Sequence, residues 1–515
     1  MSGKVYLVGA GPGAPDLITV RGLQVLAAAQ VVFYDSLVSA ELLKQAPPDA
    51  ELIHVGRRAG TARPFDQAEI NRLMVERARG GQRVVRLKGG DPFIFGRGGE
   101  EAEALRAAAI EFEIVPGVTS AISAPAFAGI PLTHREYGSF ITIATGQAEP
   151  GTPDDALPWT EMARAASNGG TLVVLMAATR IGPLMSRLIA MGVDGATPAA
   201  AIQWASRAAQ KSVIATAASL AAEAERAALG PPAVVVVGPC AGLGRELGWC
   251  ERMPLFGRRI VVTRAADQAE PFARRLRLLG AEVIEFPTIA FASPSSTAAL
   301  DRAIAEASTF DWIIFTSARG VTAFIERMRL LGRDLRALGG AAIAAIGPAT
   351  AARLQDHALT VAAMPTEYRA EAIVDALGPD RIGGKRILIP RAEVAREILP
   401  EMLLQRGARE VVIAPAYRTV SPSNPDAAKV AEMAAAGALA LVTFTSSSTV
   451  TNFCAMLGEA ARGLAAAVIG PITAATARAA GLAVVIEATD YTVEGLTAAI
   501  IEHFARRQTG PPAPR

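Results

Sequence analysis

Short apolar runs alternate with segments of helical periodicity along the whole of this chain. The runs at 5–8, 84–87, 234–237 and 260–263 are mainly β-branched or aliphatic, and the first three meet glycine within two residues. Runs of this length without polar alternation are typical of strands that are buried on both faces of a parallel sheet. The alternation with helical segments therefore predicts an α/β fold with parallel sheets.

The segment between the strand at 84–87 and a helix predicted over 100–109 is especially dense in glycine. It opens with Lys-Gly-Gly-Asp-Pro at 88–92 and contains three more glycines before Glu100. Glycine allows positive φ and removes the Cβ atom, so such a loop brings amides, carbonyls and one carboxylate close to a small ligand. A plain strand-to-helix turn is the alternative interpretation.

A second glycine loop, Gly-Ala-Gly-Pro-Gly-Ala-Pro-Asp at 9–16, follows the first strand. It fits the G-x-G-x-x-A pattern of dinucleotide-binding proteins, and Asp35 stands about 20 residues further on, where a ribose-binding acid would lie. Pro12 and Pro15 oppose this interpretation because they delay the next helix to about Thr19, away from a bound phosphate. The loop therefore suits a ligand without phosphates, and a nicotinamide-dependent oxidoreductase is the alternative.

The second half of the chain contains an internal repeat. Two copies of one α/β unit predict two similar lobes, and ligands bind such sheets beyond the carboxyl ends of the strands, so the cleft between the lobes is the predicted site. Ser317 and Ser446 could equally serve as helix N-caps without contacting a ligand. Three pairs of segments match in the same order, namely 259–265 with 386–392, 314–317 with 443–446, and 346–350 with 469–473.

Composition narrows the possible functions. The 515 residues predict three or four domains, and a net charge of +2 indicates no nucleic-acid-binding surface. Three cysteines without paired spacing indicate a reducing compartment, and four scattered histidines predict no metal site. No signal peptide is recognisable and no apolar stretch reaches about 18 residues, so a cytoplasmic protein without a membrane span is expected.

Five motifs stand in order in residues 1–245. They are the loop at 8–13, Tyr34-Asp35, the run at 88–101, Pro-Gly-Val-Thr-Ser-Ala at 116–121, and Gly-Ile-Pro-Leu-Thr-His-Arg at 129–135. With these motifs the segment resembles the uroporphyrinogen III C-methyltransferases. The resemblance implies two α/β lobes, about 1–137 and 138–245, with S-adenosylmethionine bound between them. It also implies transfer of two methyl groups to ring carbons of uroporphyrinogen III, giving precorrin-2, a precursor of modified tetrapyrroles such as sirohaem and cobalamin.

The same resemblance assigns roles to individual residues. Asp35 is implied as the base that removes a proton after methylation, although it could instead be a strand-end carboxylate that caps the turn at Ser36. Asp91 is suited to accept hydrogen bonds from the ribose hydroxyls or the amino group of the methyl donor. The positions implied to contact the donor are Pro12, Gly89, Gly90, Asp91, Ile94, Thr119, Ser120, Met176 and Ala205.

Four positions depart from the family pattern. Arg57 replaces a usual lysine, Gln147 a usual histidine, Ala14 a usual aspartate and Ala205 a usual glycine. Arg57 is the second candidate catalytic residue, but a guanidinium keeps its proton near neutrality and suits carboxylate binding better than proton donation. Surface charge is the alternative for each arginine that is predicted to bind the acetate and propionate groups of the substrate. These arginines are Arg57, Arg58, Arg63 and Arg135.

Five further motifs stand in order in residues 258–505. They are Phe-Thr-Ser-Ala-Arg-Gly-Val at 315–321, Ala-Tyr-Arg-Thr at 416–419, Phe-Thr-Ser-Ser-Ser at 444–448, Ile-Gly-Pro at 469–471, and Asp-Tyr-Thr-Val-Glu-Gly-Leu at 490–496. With these motifs the segment resembles the uroporphyrinogen III synthases over its full length. The resemblance implies closure of linear hydroxymethylbilane into uroporphyrinogen III, with inversion of the last pyrrole and loss of water. It implies two lobes joined by two chain crossings, one formed by about 258–290 with 419–505 and the other by 291–418.

Tyr417 is the implied catalytic residue of this half. Its hydroxyl would help the leaving hydroxyl of the substrate to depart, although the side chain could instead be a buried aromatic at a lobe junction. The enzyme's task is to favour one bond-forming geometry, for which hydroxyls and backbone amides in a cleft can suffice. The implied substrate-binding residues are Thr316, Ser317, Thr445, Ser446 and Thr473.

Together the two resemblances predict a bifunctional enzyme of tetrapyrrole synthesis with small-molecule tetrapyrrole substrates. A linker is predicted at 246–257 and a flexible tail at 506–515. The methyltransferase resemblance implies a homodimer formed through the N-terminal half. A second alternative is that the C-terminal half is a non-catalytic bilobal module that binds tetrapyrrole.

Overall fold

The computed structural model describes residues 3–56, 65–146, 157–366, 372–395, 397–422, 424 and 426–508. The chain divides into two compact units, of which the first is Met1–Arg259 with Arg275–Val283 and Ile501–Arg515. The second unit is Ile260–Arg274 with Ile284–Ile500. The described part of the chain forms four five-stranded sheets.

The first sheet is parallel throughout and has the strand order β3-β2-β4-β1-β5. Because all five strands run in one direction, the loops after them lie along a single edge of the sheet. The strands are β1 (Lys4–Gly9), β2 (Val31–Tyr34), β3 (Glu51–His54), β4 (Val84–Lys88) and β5 (Glu111–Val115). The helices are α1 (Val20–Leu26), α2 (Ala40–Leu43), α3 (Gln67–Arg79), α4 (Gly98–Ala107) and α5 (Ser120–Phe127).

The second sheet, in the order β6-β7-β10-β8-β9, mixes strand directions. Its strands are β6 (Phe140–Thr145), β7 (Gly170–Leu175), β8 (Pro198–Gln203), β9 (Lys211–Thr216) and β10 (Ala233–Val237). Its helices are α6 (Trp159–Ser167), α7 (Ile181–Ala190), α8 (Leu220–Arg226) and α9 (Gly244–Leu247).

The apolar run at 234–237 was expected in a parallel sheet, and that expectation is wrong. Strand β10 is antiparallel to both of its neighbours, β7 and β8. Val235 and Val237 pack into one core while Val234 and Val236 pack into another on the opposite face. The continuous hydrophobicity of the run reflects this burial on two faces, and it carries no information about strand direction.

The second half of the chain contains two mainly parallel sheets, in the orders β12-β11-β18-β19-β20 and β13-β17-β16-β14-β15. The edge strand β13 is antiparallel to β17, and the other described pairs are parallel. The strands are β11 (Arg259–Val262), β12 (Glu282–Glu285), β13 (Ala290–Ala292), β14 (Trp312–Phe315), β15 (Ala342–Ala345), β16 (Arg386–Ala392), β17 (Glu410–Val420), β18 (Leu441–Phe444), β19 (Ala465–Val468) and β20 (Ala483–Glu487). The helices are α10 (Ala266–Leu278), α11 (Ala298–Ala305), α12 (Ala318–Leu330), α13 (Pro348–Gln355), α14 (Ala372–Leu377), α15 (Ile398–Gln405), α16 (Ala427–Ala435), α17 (Ser447–Leu457), α18 (Pro471–Ala479) and α19 (Val493–Gln508).

The internal repeat appears as two similar strand triplets, but neither triplet is a single copy of the repeat. The first copy supplies β11, β14 and β15, and the second supplies β16, β18 and β19. The third sheet contains the triplet β11-β18-β19, and the fourth contains β16-β14-β15. Each triplet therefore takes one strand, β11 or β16, from one copy of the repeat and its other two strands from the other copy.

Helices extend into the predicted linker and into the start of the predicted tail. A helix, α9, lies just before the predicted linker and extends into it, and Trp249 Nε1 donates a hydrogen bond to the carbonyl of Ala126 (2.9 Å). The last helix, α19, ends at Gln508, and the rest of the predicted tail, 509–515, lies outside the described residues. Within the described ranges, no helix combines the length and the apolar character that crossing a membrane requires.

Candidate functional site

The two glycine loops lie side by side at the carboxyl edge of the first sheet. The amide of Ala10 donates to the carbonyl of Lys88 (2.7 Å). Gly11 and Gly90 exchange two backbone hydrogen bonds, of 2.8 Å from the Gly90 amide and 3.2 Å from the Gly11 amide. The loops that the sequence singled out separately therefore form one continuous backbone surface.

Three glycines make this close approach possible. A Cβ atom on Gly117 would lie 2.3 Å from the carbonyl oxygen of Gly90, and one on Gly9 would lie 2.5 Å from the Cα of Gly117. Gly90 also has a φ of +69°, which side chains disfavour. Backbone from three strand ends thus meets where no side chain could be accommodated.

Asp91 fixes the junction between the loop after β4 and the loop after β5. One carboxylate oxygen accepts from the amide of Phe93 (2.8 Å), and the other accepts from the amide of Gly117 (3.0 Å). A carboxylate has about four acceptor positions, so Asp91 retains capacity for donors on a ligand. Its predicted contact with a methyl donor stays a prediction.

Asp35 belongs to a largely buried network of four charged side chains. Its Oδ1 lies 2.6 Å from Arg86 Nη2, and the Nε of Arg86 lies 3.0 Å from Glu101 Oε1. Lys88 Nζ lies 2.9 Å from the same Glu101 oxygen. The side chains of Arg86, Lys88 and Glu101 are at most 3% exposed, whereas that of Asp35 is 26% exposed. Asp35 is therefore the member of the network that solvent or a ligand can reach.

The network contains two cations and two anions, so its formal charges balance. Burial alone would lower the pKa of Arg86, but attraction by Asp35 and Glu101 outweighs burial and the pKa is raised. Burial lowers the pKa of Lys88, and repulsion by Arg86 lowers it further. Within the described ranges, Glu101 Oε2 is buried without a hydrogen-bond partner. Removing any member would leave a buried charge uncompensated.

The second sheet contributes loops with strained backbone. Strands β7 and β8 are both antiparallel to β10, so their carboxyl ends lie at the same edge. Met176 follows β7 with a φ of +58° and is 46% exposed, and Ala205 follows β8 between two residues of positive φ. The next residue, Ser206, accepts a hydrogen bond from the amide of Ala14 (3.0 Å). This bond joins the loop of Ala205 to the loop of Pro12.

The predicted donor-contacting residues therefore fall on the loops of these two edges. Thr119 caps α5 by accepting from the Ala121 amide (3.3 Å), and a Cβ on Gly90 would lie 3.7 Å from the Thr119 Cα. Ile94 is 40% exposed on the loop after β4, and Arg135 is exposed on the turn that joins His134 to Gly138. The predicted positions Arg57, Arg58, Arg63 and Gln147 lie outside the described residues.

The delayed helix start after the first loop is confirmed. A short 3-10 turn occupies Pro15–Leu17, and α1 begins at Val20 with Thr19 as its N-cap. The hydroxyl of Thr19 accepts from the amide of Gly22 (3.1 Å) and so occupies the position that a phosphate would need at this helix start. The geometry disfavours the nicotinamide-dependent oxidoreductase.

In the fourth sheet, Tyr417 within β17 contacts Ser317, which lies two residues after the end of β14. The Tyr417 hydroxyl lies 3.0 Å from Ser317 Oγ, which also accepts from the amide of Gly320 (3.1 Å) as the N-cap of α12. The ring of Tyr417 is 9% exposed and packs edge-on against Phe291, with ring centroids 5.5 Å apart. Tyr417 is buried and its hydroxyl has a polar partner, and its catalytic role stays a prediction.

The equivalent strand end in the third sheet also carries hydroxyl side chains. Ser446 caps α17 by accepting from the amide of Thr449 (3.4 Å) and lies 3.0 Å from the hydroxyl of Ser448. Thr473 is buried in the first turn of α18. Both serines are N-caps, and a role in binding substrate stays a prediction for Ser317, Ser446 and their neighbours Thr316 and Thr445.

Sequence reasoning missed the buried network and the contacts of the loop after β8. Arg86 and Lys88 alternate within an otherwise apolar strand, and charged residues in such a strand are almost never fully buried without partners. That pattern could have signalled a buried ion pair. The described residues contain no group of three or more His, Cys, Asp or Glu side chains placed to hold a metal ion.

Two family descriptions match the chain in succession. Tetrapyrrole (Corrin/Porphyrin) Methylases match residues 4–221, and Uroporphyrinogen-III synthase HemD matches residues 270–498. The "Porphyrin biosynthesis protein HemD" of Ruminiclostridium josui is 37% identical over 487 residues, covering 94% of this chain and 95% of that protein.

Relatives of the N-terminal half alone are also similar. The "S-adenosyl-L-methionine-dependent uroporphyrinogen III methyltransferase" of Methanosarcina barkeri is 46% identical over 246 residues, covering 48% of this chain and 95% of that protein. A crystal structure of uroporphyrin-III C-methyl transferase from Thermus thermophilus, complexed with S-adenyl homocysteine, is 38% identical with a TM-score of 0.40. It covers 46% of this chain and 98% of that chain.

These matches define a two-part protein of tetrapyrrole biosynthesis. The chain belongs to the family in which a tetrapyrrole methylase half precedes a uroporphyrinogen-III synthase half.

Proposed function

We propose that the chain is a bifunctional enzyme that makes uroporphyrinogen III and then methylates it. The C-terminal half cyclises hydroxymethylbilane to uroporphyrinogen III, and the N-terminal half methylates two ring carbons of that product to give precorrin-2. The observation that carries the proposal is that one chain matches, in succession, the families of two enzymes of which the second produces the substrate of the first.

The N-terminal half would hold S-adenosylmethionine on the backbone surface formed by its glycine loops. The polar groups there are backbone amides that donate hydrogen bonds, carbonyls and the Asp91 carboxylate that accept them, and the hydroxyls of Thr119 and Ser120. They suit a ligand with hydroxyl, amino and carboxylate groups and no phosphate. The bound molecule supplies an activated methyl group. The protein's part is to hold that group in line with the nucleophilic carbon at a near-attack distance.

Asp35 is the proposed base for the proton that leaves the macrocycle after methylation. Its Oδ1 is held by Arg86, and its side chain is partly exposed while its partners are buried. The pairing fixes the orientation of the carboxylate and leaves Oδ2 for the proton. We also propose that Arg57, Arg58 and Arg135 bind substrate carboxylates, because guanidinium groups pair with carboxylates in two-pronged geometry.

Tyr417 is the proposed acid of the C-terminal half. Its hydroxyl would donate a hydrogen bond to the departing hydroxyl of hydroxymethylbilane, and Ser317 would hold the phenol in place. The hydroxyls of Thr316, Thr445, Ser446 and Thr473 would bind the folded substrate. The remaining proposals are a homodimer formed through the N-terminal half and a cytoplasmic location.

The proposal is tested by incubating the purified protein with hydroxymethylbilane, with and without S-adenosylmethionine. Isomer-resolving chromatography and mass spectrometry identify the tetrapyrroles. The expected products are the type III isomer without the methyl donor and a dimethylated species with it. Type I isomer alone, from spontaneous closure, would contradict the synthase half and favour a non-catalytic binding module. Unmethylated type III in the presence of the donor would contradict the methyltransferase half.

A further inference from the structure

The loop after β8, residues 204–210, makes two hydrogen bonds to loops of the first sheet. Ser206 Oγ accepts from the amide of Ala14 (3.0 Å), and Arg207 Nη2 donates to the carbonyl of Leu37 (2.6 Å). Ala14 lies on the loop proposed to hold the methyl donor, and Leu37 lies two residues after the proposed base. One short loop thus contacts both functional loops of the first sheet.

Arg207 is fitted closely against the glycine loop. A Cβ atom on Gly13 would lie 2.6 Å from Arg207 Nε and 3.3 Å from Ser206 Oγ, and Gly13 has a φ of +150°. The guanidinium also lies over the ring of Trp204, 5.0 Å from its centroid. Burial lowers the pKa of Arg207. The guanidinium of Arg207 is therefore partly desolvated in this contact, and this desolvation costs free energy that fully exposed arginines do not lose.

The loop itself is held in an unusual conformation. Trp204 and Ser206 have φ values of +48° and +66°. The amide of Ser206 donates to the side chain of Gln210 (3.1 Å), whose amide group in turn donates to the carbonyl of Phe127 (3.2 Å). Strained backbone persists where surrounding contacts fix it, and it clusters at sites where geometry matters for function. The buried Gln210 is the internal support of the loop.

We propose that Ser206 and Arg207 form a clasp that sets the spacing between the methyl-donor loop and the Asp35 loop. Both are positioning residues, because their contacts are to protein groups beside the site. The inference rests on the proposed methyltransferase function. The clasp fixes the distance between donor and tetrapyrrole, so its loss lowers the rate of the chemical step more than it weakens substrate binding.

Four variants test the clasp with uroporphyrinogen III and S-adenosylmethionine as substrates. Arg207→Met keeps the apolar stem and removes the charge, and Ser206→Ala removes the acceptor. Ser206→Asn restores a side-chain acceptor with a residue that tolerates the positive φ of this position. The matched control is Arg226→Met, which removes an exposed arginine that pairs with Glu223 on α8. We expect kcat to fall by about tenfold to a hundredfold in the first two variants, with a smaller change in KM. Ser206→Asn and Arg226→Met should keep near-wild-type kcat.

Hydrogen exchange of the backbone amides supplies a readout independent of turnover. The clasp predicts faster exchange in residues 10–14 and 36–38 of Arg207→Met and Ser206→Ala, and wild-type exchange in Ser206→Asn and the control. If exchange and kcat are unchanged in Arg207→Met and Ser206→Ala, the clasp is contradicted. Turnover by the wild-type protein would in that case still support the proposed function. A wild-type protein that does not methylate uroporphyrinogen III would instead contradict the proposed function, and the exchange rates would still decide whether the clasp exists.

Discussion

The predicted site residues at the carboxyl edges of the first and fourth sheets differ in chemistry, although both edges follow parallel strands. At the first edge, bare backbone from three loops packs above a network of two cations and two anions. At the fourth edge, the predicted site residues are neutral hydroxyls, and Tyr417 pairs with Ser317. The comparison indicates that the two proposed reactions need different chemical groups at their sites.

Methyl transfer followed by proton removal needs two ligands in line and one oriented base. The first edge supplies rigid backbone and a carboxylate held by a buried arginine. Ring closure with loss of water needs a folded substrate and weak acid assistance, because the substrate cyclises spontaneously to the wrong isomer. A phenol hydroxyl that donates one hydrogen bond suits that lesser demand.

The largest predicted effect is on the charged network. Glu101→Gln removes the carboxylate shared by Arg86 and Lys88, and leaving buried charges without a full partner costs about 3–5 kcal/mol. Thermal or denaturant unfolding of the N-terminal half should show this loss. Glu100→Gln is the matched control, because Glu100 is half exposed and pairs with Arg97 at the surface. Equal stability of the two variants would show that the network is not a structural requirement.

Removing the phenol hydroxyl should act on rate and leave stability nearly unchanged. Tyr417→Phe deletes one hydrogen bond, which is worth about 1 kcal/mol, and keeps the packed ring. General acid assistance contributes about a hundredfold or more to a rate, so enzymatic formation of type III product should slow by about that factor. Methylation of supplied uroporphyrinogen III should be unaffected. A wild-type rate of cyclisation would remove Tyr417 from the mechanism.

The glycine surface should tolerate no side chain. Gly117→Ala places a Cβ atom against the carbonyl of Gly90 and should cost about 1–3 kcal/mol, with weaker binding of S-adenosylhomocysteine in calorimetry. Gly99→Ala is the matched control, since a Cβ there meets no atom within 4 Å. If both variants bind the ligand like the wild type, the loops do not form the donor site.

The smallest predicted difference separates two equivalent helix caps. Ser317→Ala and Ser446→Ala should each cost about 1 kcal/mol, because each serine caps a helix. Ser446→Ala should raise the KM for hydroxymethylbilane, whereas Ser317→Ala should also lower the kcat of cyclisation, because Tyr417 loses its partner. Equal activity losses in the two variants would indicate that both serines act through substrate binding alone.

The glycine loops and the repeat could be predicted from the sequence because they depend on local residue types. Gly and Pro density marked the loops at 9–16 and 88–92, and short matching segments marked the repeat. The direction of β10 could not be predicted, since burial on two faces produces the same apolar run in either orientation.

Contacts between residues that are far apart in the sequence could not be predicted from local patterns either. The Arg86–Glu101 pair joins a strand to the helix after the loop, and the Ser206 bond to Ala14 spans 192 residues. Both depend on how loops meet after folding. Likewise, the repeat predicted two similar lobes, but its local similarity could not indicate that each sheet combines strands of both copies.

The two proposed activities are tested most directly by analysing the products that two variants form from hydroxymethylbilane and S-adenosylmethionine. If the two halves catalyse successive reactions through separate groups, Asp35→Asn should still form the type III isomer. Most of that isomer should stay unmethylated over many turnovers, because slow proton removal after the first methyl transfer stalls the enzyme. Tyr417→Phe should shift the product toward the type I isomer while still methylating added uroporphyrinogen III. Loss of the same step in both variants, or dimethylated type III from both, would contradict the assignment of separate chemistry to the two halves.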